Sequence, residues 1–174
     1  MTVNDYKPTG FDIQSAMVDL ATRCPDKTKR PRSIKWGEHS VMTIYEWHVS
    51  NSGTISIQFV DSGGDVRQGF DVKANDGSIF VDGESVDHLR TWKDSDLDDA
   101  VSYTYESSNG LLKFWNVYER KWPDGTTTQE KWTGNSGFYV EEVSEYEKIF
   151  HCSHGAAEDP KFDCLIVRVR ISQT

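Results

Sequence analysis

Long apolar runs are missing from this chain, and so is any excess of positive charge. No stretch approaches the roughly 20 consecutive apolar residues that a membrane-crossing helix requires, so no membrane partner is expected. Nineteen basic residues stand against 28 acidic ones, a net charge of −9. That balance argues against nucleic acid as a general ligand, because phosphate binding draws on a basic surface. Cysteine is scarce too: Cys24, Cys152 and Cys164 are an odd count in 174 residues. This argues against a disulfide framework and for reduced thiols. The opening stretch MTVNDYKPTGFDIQ lacks the basic-then-apolar layout of a secretory leader, and a cytoplasmic protein is the expectation. No glycine-rich phosphate loop is found, since SGGD and GNSG lack the following lysine and helix. No cofactor is therefore expected.

What is present is aromatic and charged. Aromatics make up 12% of the chain and charged residues 27%, a mix that suits a folded domain rather than a disordered tail. The charge is uneven. Lys27, Lys29, Arg30, Arg32 and Lys35 cluster in KTKRPRSIK, whereas the segment from Asp82 to Asp99 is strongly acidic. Such runs usually face water, although the overall charge also suits a basic protein partner.

The periodicity changes once. Ile13, Ala16, Met17, Leu20, Ala21 and Cys24 recur at the spacing of one helix face, Thr9 and Asp12 resemble a weak capping box, and Pro25 ends the pattern. This predicts an amphipathic helix over 10–24, followed by a basic linker over 25–35. From residue 40 to 172 the period is two, in about nine stretches separated by Gly, Asn and Asp turns such as NSG, SGGD, ANDG and SSNG. The expectation is one domain over 1–174: an all-β fold with one N-terminal helix. Strands joined by tight turns predict an antiparallel meander, and an up-and-down β-barrel of calycin-like architecture over 40–172 is favoured over a β-sandwich.

The barrel is favoured because of one hairpin, KFWNVYERKWPDGTTTQEKW. The connection WPDGT suits a three-residue turn with a bulge glycine. Pairing Trp122 with Thr126 and counting outward sets Arg120 opposite Thr128, Tyr118 opposite Glu130, and Asn116 opposite Trp132. These residues share a face with Leu112, Phe114 and Trp122. The other face, with Lys113, Glu119, Lys121, Gln129 and Lys131, reads as the wet one despite Trp115 and Val117.

An inward face that mixes aromatics with Asn116, Arg120, Thr128 and Glu130 needs partners or water for its polar groups. A cavity supplies both. The expected site has Glu130, Tyr118 and Arg120 as acid–base machinery and Phe114, Asn116, Trp122, Thr128 and Trp132 as ligand-binding walls. Desolvation among aromatics is expected to raise the Glu130 carboxyl toward neutrality. The implied function is binding of a small aromatic or acidic metabolite, or a cofactor-independent isomerase, cyclase or lyase using Glu130. A structural Arg120–Glu130 pair is the plainer alternative.

Two other functional classes fit the composition: an acidic interaction or inhibitor protein for a basic partner, and a carbohydrate-binding β-sandwich with exposed tryptophans such as Trp115. Metal sites are not expected. DSDLDD at 94–99 begins like an EF-hand loop but lacks its glycine and terminal glutamate. HCSH at 151–154 with Cys164 matches no zinc spacing. His39, His48 and His88 are scattered along the chain.

Overall fold

The structure, a computed structural model, describes residues 12–63, 66–94 and 100–173. It is mostly β with a single short helix, and its sheets are antiparallel. The helix, α1 (Ile13–Arg23), begins at Asp12, whose carboxylate accepts the Ser15 N–H at 2.8 Å. The cap is therefore Asp12 itself, and Thr9 lies outside the described residues. The helix ends where expected, with Cys24 N–H bonded to the Leu20 carbonyl just before Pro25. Its buried stripe of Ile13, Ala16 and Leu20 covers Ile34 and Val41 on a small hairpin, β1 (Ile34–Trp36) and β2 (His39–Val41). The basic segment thus runs straight into a strand. Within it, Arg30 donates to the Cys24 carbonyl and Arg32 pairs with Glu46 at 3.0 Å.

Two larger sheets follow. One has seven strands in the order β12-β13-β14-β4-β9-β6-β7, drawn from β4 (Ser52–Ser62), β6 (Gly77–Val81), β7 (Glu84–Val86), β9 (Val101–Ser107), β12 (Gly137–Ser144), β13 (Glu147–Ser153) and β14 (Leu165–Gln173). The other has five: β3 (Tyr45–His48), β5 (Gln68–Ala74), β8 (His88–Trp92), β10 (Leu111–Lys121) and β11 (Thr127–Glu130). In this sheet β10 pairs with β5 along one edge. Its other edge is shared by β3, opposite Leu111–Phe114, and β11, opposite Tyr118–Lys121.

The strand content agrees with the period-two reading, but the meander does not. The chain crosses between the two sheets after β3, β4, β5, β7, β8, β9 and β11. SGGD, ANDG and SSNG, expected to close hairpins, lie at such crossings, and β4 ends up between β14 and β9. Turn residues dictate that the chain reverses; they do not dictate which sheet receives the next strand. The stretch 40–49 is likewise divided into β2 and β3, with Met42 bridging to Phe138 between them. Neither large sheet closes into a barrel.

The core lies where the two sheets meet. Ile55, Ile57, Phe59, Val167, Val169 and Ile171 of one sheet share a buried cluster with Phe70, Val72, Leu112 and Phe114 of the other. Phe150, fully buried on β13, reaches across to Phe70 and Phe114 with ring centroids 4.9 and 5.8 Å away, and to Tyr45 at 5.5 Å. Phe150→Ala should therefore lower stability by about 3–5 kcal/mol in urea titration, as expected for a large core aromatic. Val143→Ala, at a position 48% exposed, should change it by less than about 0.5 kcal/mol.

Candidate functional site

The β10–β11 hairpin forms in the expected register. Tyr118 faces Glu130, Arg120 faces Thr128, and Trp122 N–H bonds to the Thr126 carbonyl at 2.8 Å. Its inward face does not assemble the expected wall as a unit. Phe114 is fully buried among Trp47, Phe70 and Phe150, and Asn116 is buried beside it, donating to the Ser153 carbonyl at 2.9 Å. Trp122 is 41% exposed at the hairpin end, its indole N–H donating to Thr128 Oγ1 at 2.9 Å. Trp132 leaves the face altogether. Its φ of 61° breaks the strand, and its ring packs 5.5 Å from Trp115 on the opposite side. Asn116 and Trp132 therefore do not face each other.

Tyr118, Arg120 and Glu130 do come together. The buried Tyr118 hydroxyl donates to Glu130 Oε2 at 2.7 Å, accepts from Arg120 Nη2 at 3.1 Å, and lies 2.6 Å from Thr133 Oγ1. Arg120 Nε donates to the same carboxylate oxygen at 2.8 Å. Gly155 crosses directly above: a Cβ there would overlap the Tyr118 hydroxyl. Burial pushes the Glu130 carboxyl up, but bonds from Tyr118, Arg120 and Thr133 and the Arg120 charge outweigh it, and the net shift is downward. The expectation of a carboxyl raised toward neutrality is thus reversed. Desolvation is present, yet three donors favour the charged form more strongly. Such a carboxylate is a weak base near neutral pH and a poor acid. Arg120 also lines a depression of about 420 Å³ with Arg67, Glu119 and Lys121.

The outer face of the same sheet holds a second constellation, and it is not the wet side. Trp115 and Val117 are buried at 4% and 1% exposure, and Asp71, opposite Trp115 on β5, is fully buried. Arg90 on β8 grips Asp71 in bidentate fashion, Nε to Oδ1 and Nη2 to Oδ2, both at 2.9 Å. His88 Nε2 lies 2.8 Å from Oδ2. From there Arg90 Nη1 extends over the sheet to Gln129 on β11 at 2.7 Å. The Asp71 bond raises the Arg90 guanidinium further still, with burial opposing it.

Three tryptophans and several cations tile this face. Arg67 stacks on Trp92 at 4.2 Å, and Lys131 Nζ sits 5.2 Å from the Trp115 ring centre and 4.5 Å from that of Trp132. The register also places Lys73, Lys113 and Lys121 here, against Asp71, Glu46 and Glu119. An acidic protein thus presents one sheet face with a cationic excess. Both indole N–H groups, of Trp115 and Trp132, are buried without a hydrogen-bond partner among the described residues. Sequence reading missed this set because His88 and Arg90 stand far from the hairpin. The signal available was the alternation of His88, Arg90 and Trp92 on one strand face.

The remaining candidates separate. His151 pairs with Glu141 at 3.1 Å and stacks on Tyr139, while His154 lies beside Tyr118. Burial pushes the Cys152 thiol well up, and all three cysteines are free. Among the described residues no group of His, Cys, Asp and Glu is placed to hold a metal. Most of DSDLDD lies outside the described residues. Trp115, expected to be exposed for sugar stacking, is covered instead. No described helix is long and apolar enough to cross a membrane. Comparison with protein-family models, curated proteins and solved structures finds no match for the chain.

The sign of the Glu130 shift yields a test. A carboxyl whose folded value lies below its unfolded one stabilises the fold above the unfolded value of about 4.3, and this is lost as pH falls through the folded value. Urea midpoints should favour the native protein over Glu130→Gln at neutral pH, with the gap narrowing steadily under acid conditions.

Proposed function

We propose that this protein binds a small acidic ligand, aromatic or carboxylate-bearing, on the outer face of the five-stranded sheet. The observation that carries this reading is the pair of buried indole N–H donors, Trp115 and Trp132, lying without acceptors beneath the Lys131 ammonium. A buried donor left unbonded costs about 1–3 kcal/mol, and a ligand oxygen placed there would remove that penalty. Lys131 and the neighbouring cations supply the opposite charge. His88 is anchored through Nε2 and partly exposed, which leaves Nδ1 for a ligand oxygen or hydroxyl. Asp71 and Arg90 act as positioning residues, holding His88 and the covering side chains in place.

The reading favours binding over turnover, because Glu130 is held ionised and bonded within its own network. It also favours a sandwich over a closed barrel. Phe150 inserted between β5, β10 and β3 supports two sheets packed face to face, which puts the ligand on a sheet surface rather than inside a barrel mouth.

Tryptophan fluorescence titration with benzoate, phenylacetate and inorganic phosphate tests the proposal. A saturable change with an aromatic carboxylate is expected, weakened about tenfold or more in Lys131→Gln, since a bond to a charged group contributes about 1.5–3 kcal/mol. Trp132→Phe, which keeps the ring and removes the N–H, should weaken it similarly. No saturable response, or one unchanged in both variants, would sink the reading.

A further inference from the structure

A separate depression of about 440 Å³ lies between the end of β4 and the segment joining β13 to β14. Its rim carries four carboxylates, from Asp61, Glu158, Asp159 and Asp163, against one cation, Lys161. Acidic rims are common on a chain of net charge −9, and alone they mean little. The wall is what distinguishes this one. His154 lines it, only 9% exposed, and its Nδ1 is buried with no hydrogen-bond partner among the described residues. Burial lowers the imidazole pKa, so the ring is neutral. In the tautomer protonated at Nε2, Nδ1 is the bare nitrogen and accepts a hydrogen bond.

The wall is also built to stay in place. Gln68 Nε2 donates to the Cys164 carbonyl at 2.8 Å. Ser153 Oγ accepts the Lys161 N–H at 3.0 Å, and the Tyr118 ring backs His154 at 6.0 Å. Carboxylates are acceptors, and so is Nδ1 in that tautomer, so an occupant matching both is a donor with positive charge. A metal ion does not fit, because the described acids and His154 do not converge as ligands. The volume lies in the range of small-ligand sites, roughly 300–1,000 Å³, and exceeds what one ion fills.

We propose that this depression binds a primary ammonium group carried on a short carbon chain, whose N–H donates to His154 Nδ1 while the rim carboxylates neutralise its charge. The same chemistry is offered by a free aliphatic diamine and by a lysine side chain of a basic protein. The test follows the His154 imidazole resonances by NMR at fixed ionic strength during titration with putrescine, with Nα-acetyl-lysine methylamide, and with tetramethylammonium chloride. Saturable shifts of His154 are expected with the amines and none with tetramethylammonium, which has charge but no N–H. A stronger response to putrescine assigns the site to a diamine; an equal one with the lysine derivative assigns it to a protein side chain.

Replacing the exposed rim acids together, Asp159→Asn with Asp163→Asn, should weaken amine binding at least tenfold without disturbing the buried wall. Equal shifts with all three salts, or the same affinity in the rim variant, overturn the proposal. Because Lys131 is untouched in this experiment, its result is independent of the acidic-ligand reading.

Discussion

Strand β10 is buried on both of its faces, and that constraint organises the rest of the molecule. Between Leu112 and Tyr118 no side chain is exposed except the stem and ammonium of Lys113, which are partly covered. A strand of alternating side chains can be covered on one face by a second sheet. The seven-stranded sheet does this for Leu112, Phe114 and Asn116, while Tyr118 is covered by His154 and Gly155 just beyond β13. No third layer exists among the described residues to cover Trp115 and Val117. Their cover is made from long side chains instead: Lys131 and Trp132 arriving from the end of β11, and Arg90 and His88 from β8. Lysine and arginine stems cover apolar surface while their heads stay polar.

Such a cover has an electrostatic condition. Asp71 lies beneath it with no exposure, and a buried carboxylate is tolerated only when paired and hydrogen-bonded. Arg90 satisfies both oxygens and His88 adds a contact to one of them. Replacing such a cluster with apolar residues is often neutral or stabilising in other proteins, so stability alone is a weak reason for its presence. The inward network around Tyr118 differs in this respect. There Arg120, Glu130 and Thr133 satisfy one another at the hairpin base, and a structural role accounts for the geometry in full. The Tyr118 network on the inside is closed on itself, although Asn116 Oδ1 on that face is buried without a partner among the described residues, as are the Trp115 and Trp132 indole donors on the outside.

Much of this was legible in the residues, in proportion to how local each feature is. The helix, its end at Cys24, most strands and the hairpin register follow from period and turn chemistry, and the Tyr118–Glu130 pairing came from counting outward from WPDGT. Three things were not legible. Trp132 adopts a left-handed backbone conformation that a bulky residue rarely takes, so counting in twos carried it to the wrong face. The lysines at 113, 121 and 131 made the outer face look wet, because alternation shows which residues share a face but not what lies over them. The order of strands depends on which sheet each turn feeds, and contacts such as Asp71 with Arg90, 19 positions apart, exist only once that order is set.

The charge distribution follows from the same topology. A chain of net −9 gathers lysines and arginines on the five-stranded sheet, where β5, β8, β10 and β11 align their outward positions, and gathers carboxylates between the end of β4 and the segment joining β13 to β14. The cationic patch is not visible as a run in the sequence, being drawn from β5, β8, β10 and the end of β11, whereas the acidic one joins Glu158, Asp159 and Asp163 on one segment with the distant Asp61. Patches of opposite sign attract ions of opposite charge, and exposed charges more than about 10 Å apart are largely screened from one another at ordinary ionic strength. In the proposed reading the unmet buried atoms, rather than charge, set the chemistry of each ligand. Charge alone would attract any counter-ion; on the proposed reading two indole donors call for an acceptor on one side, and His154 Nδ1, in the tautomer protonated at Nε2, calls for a donor on the other.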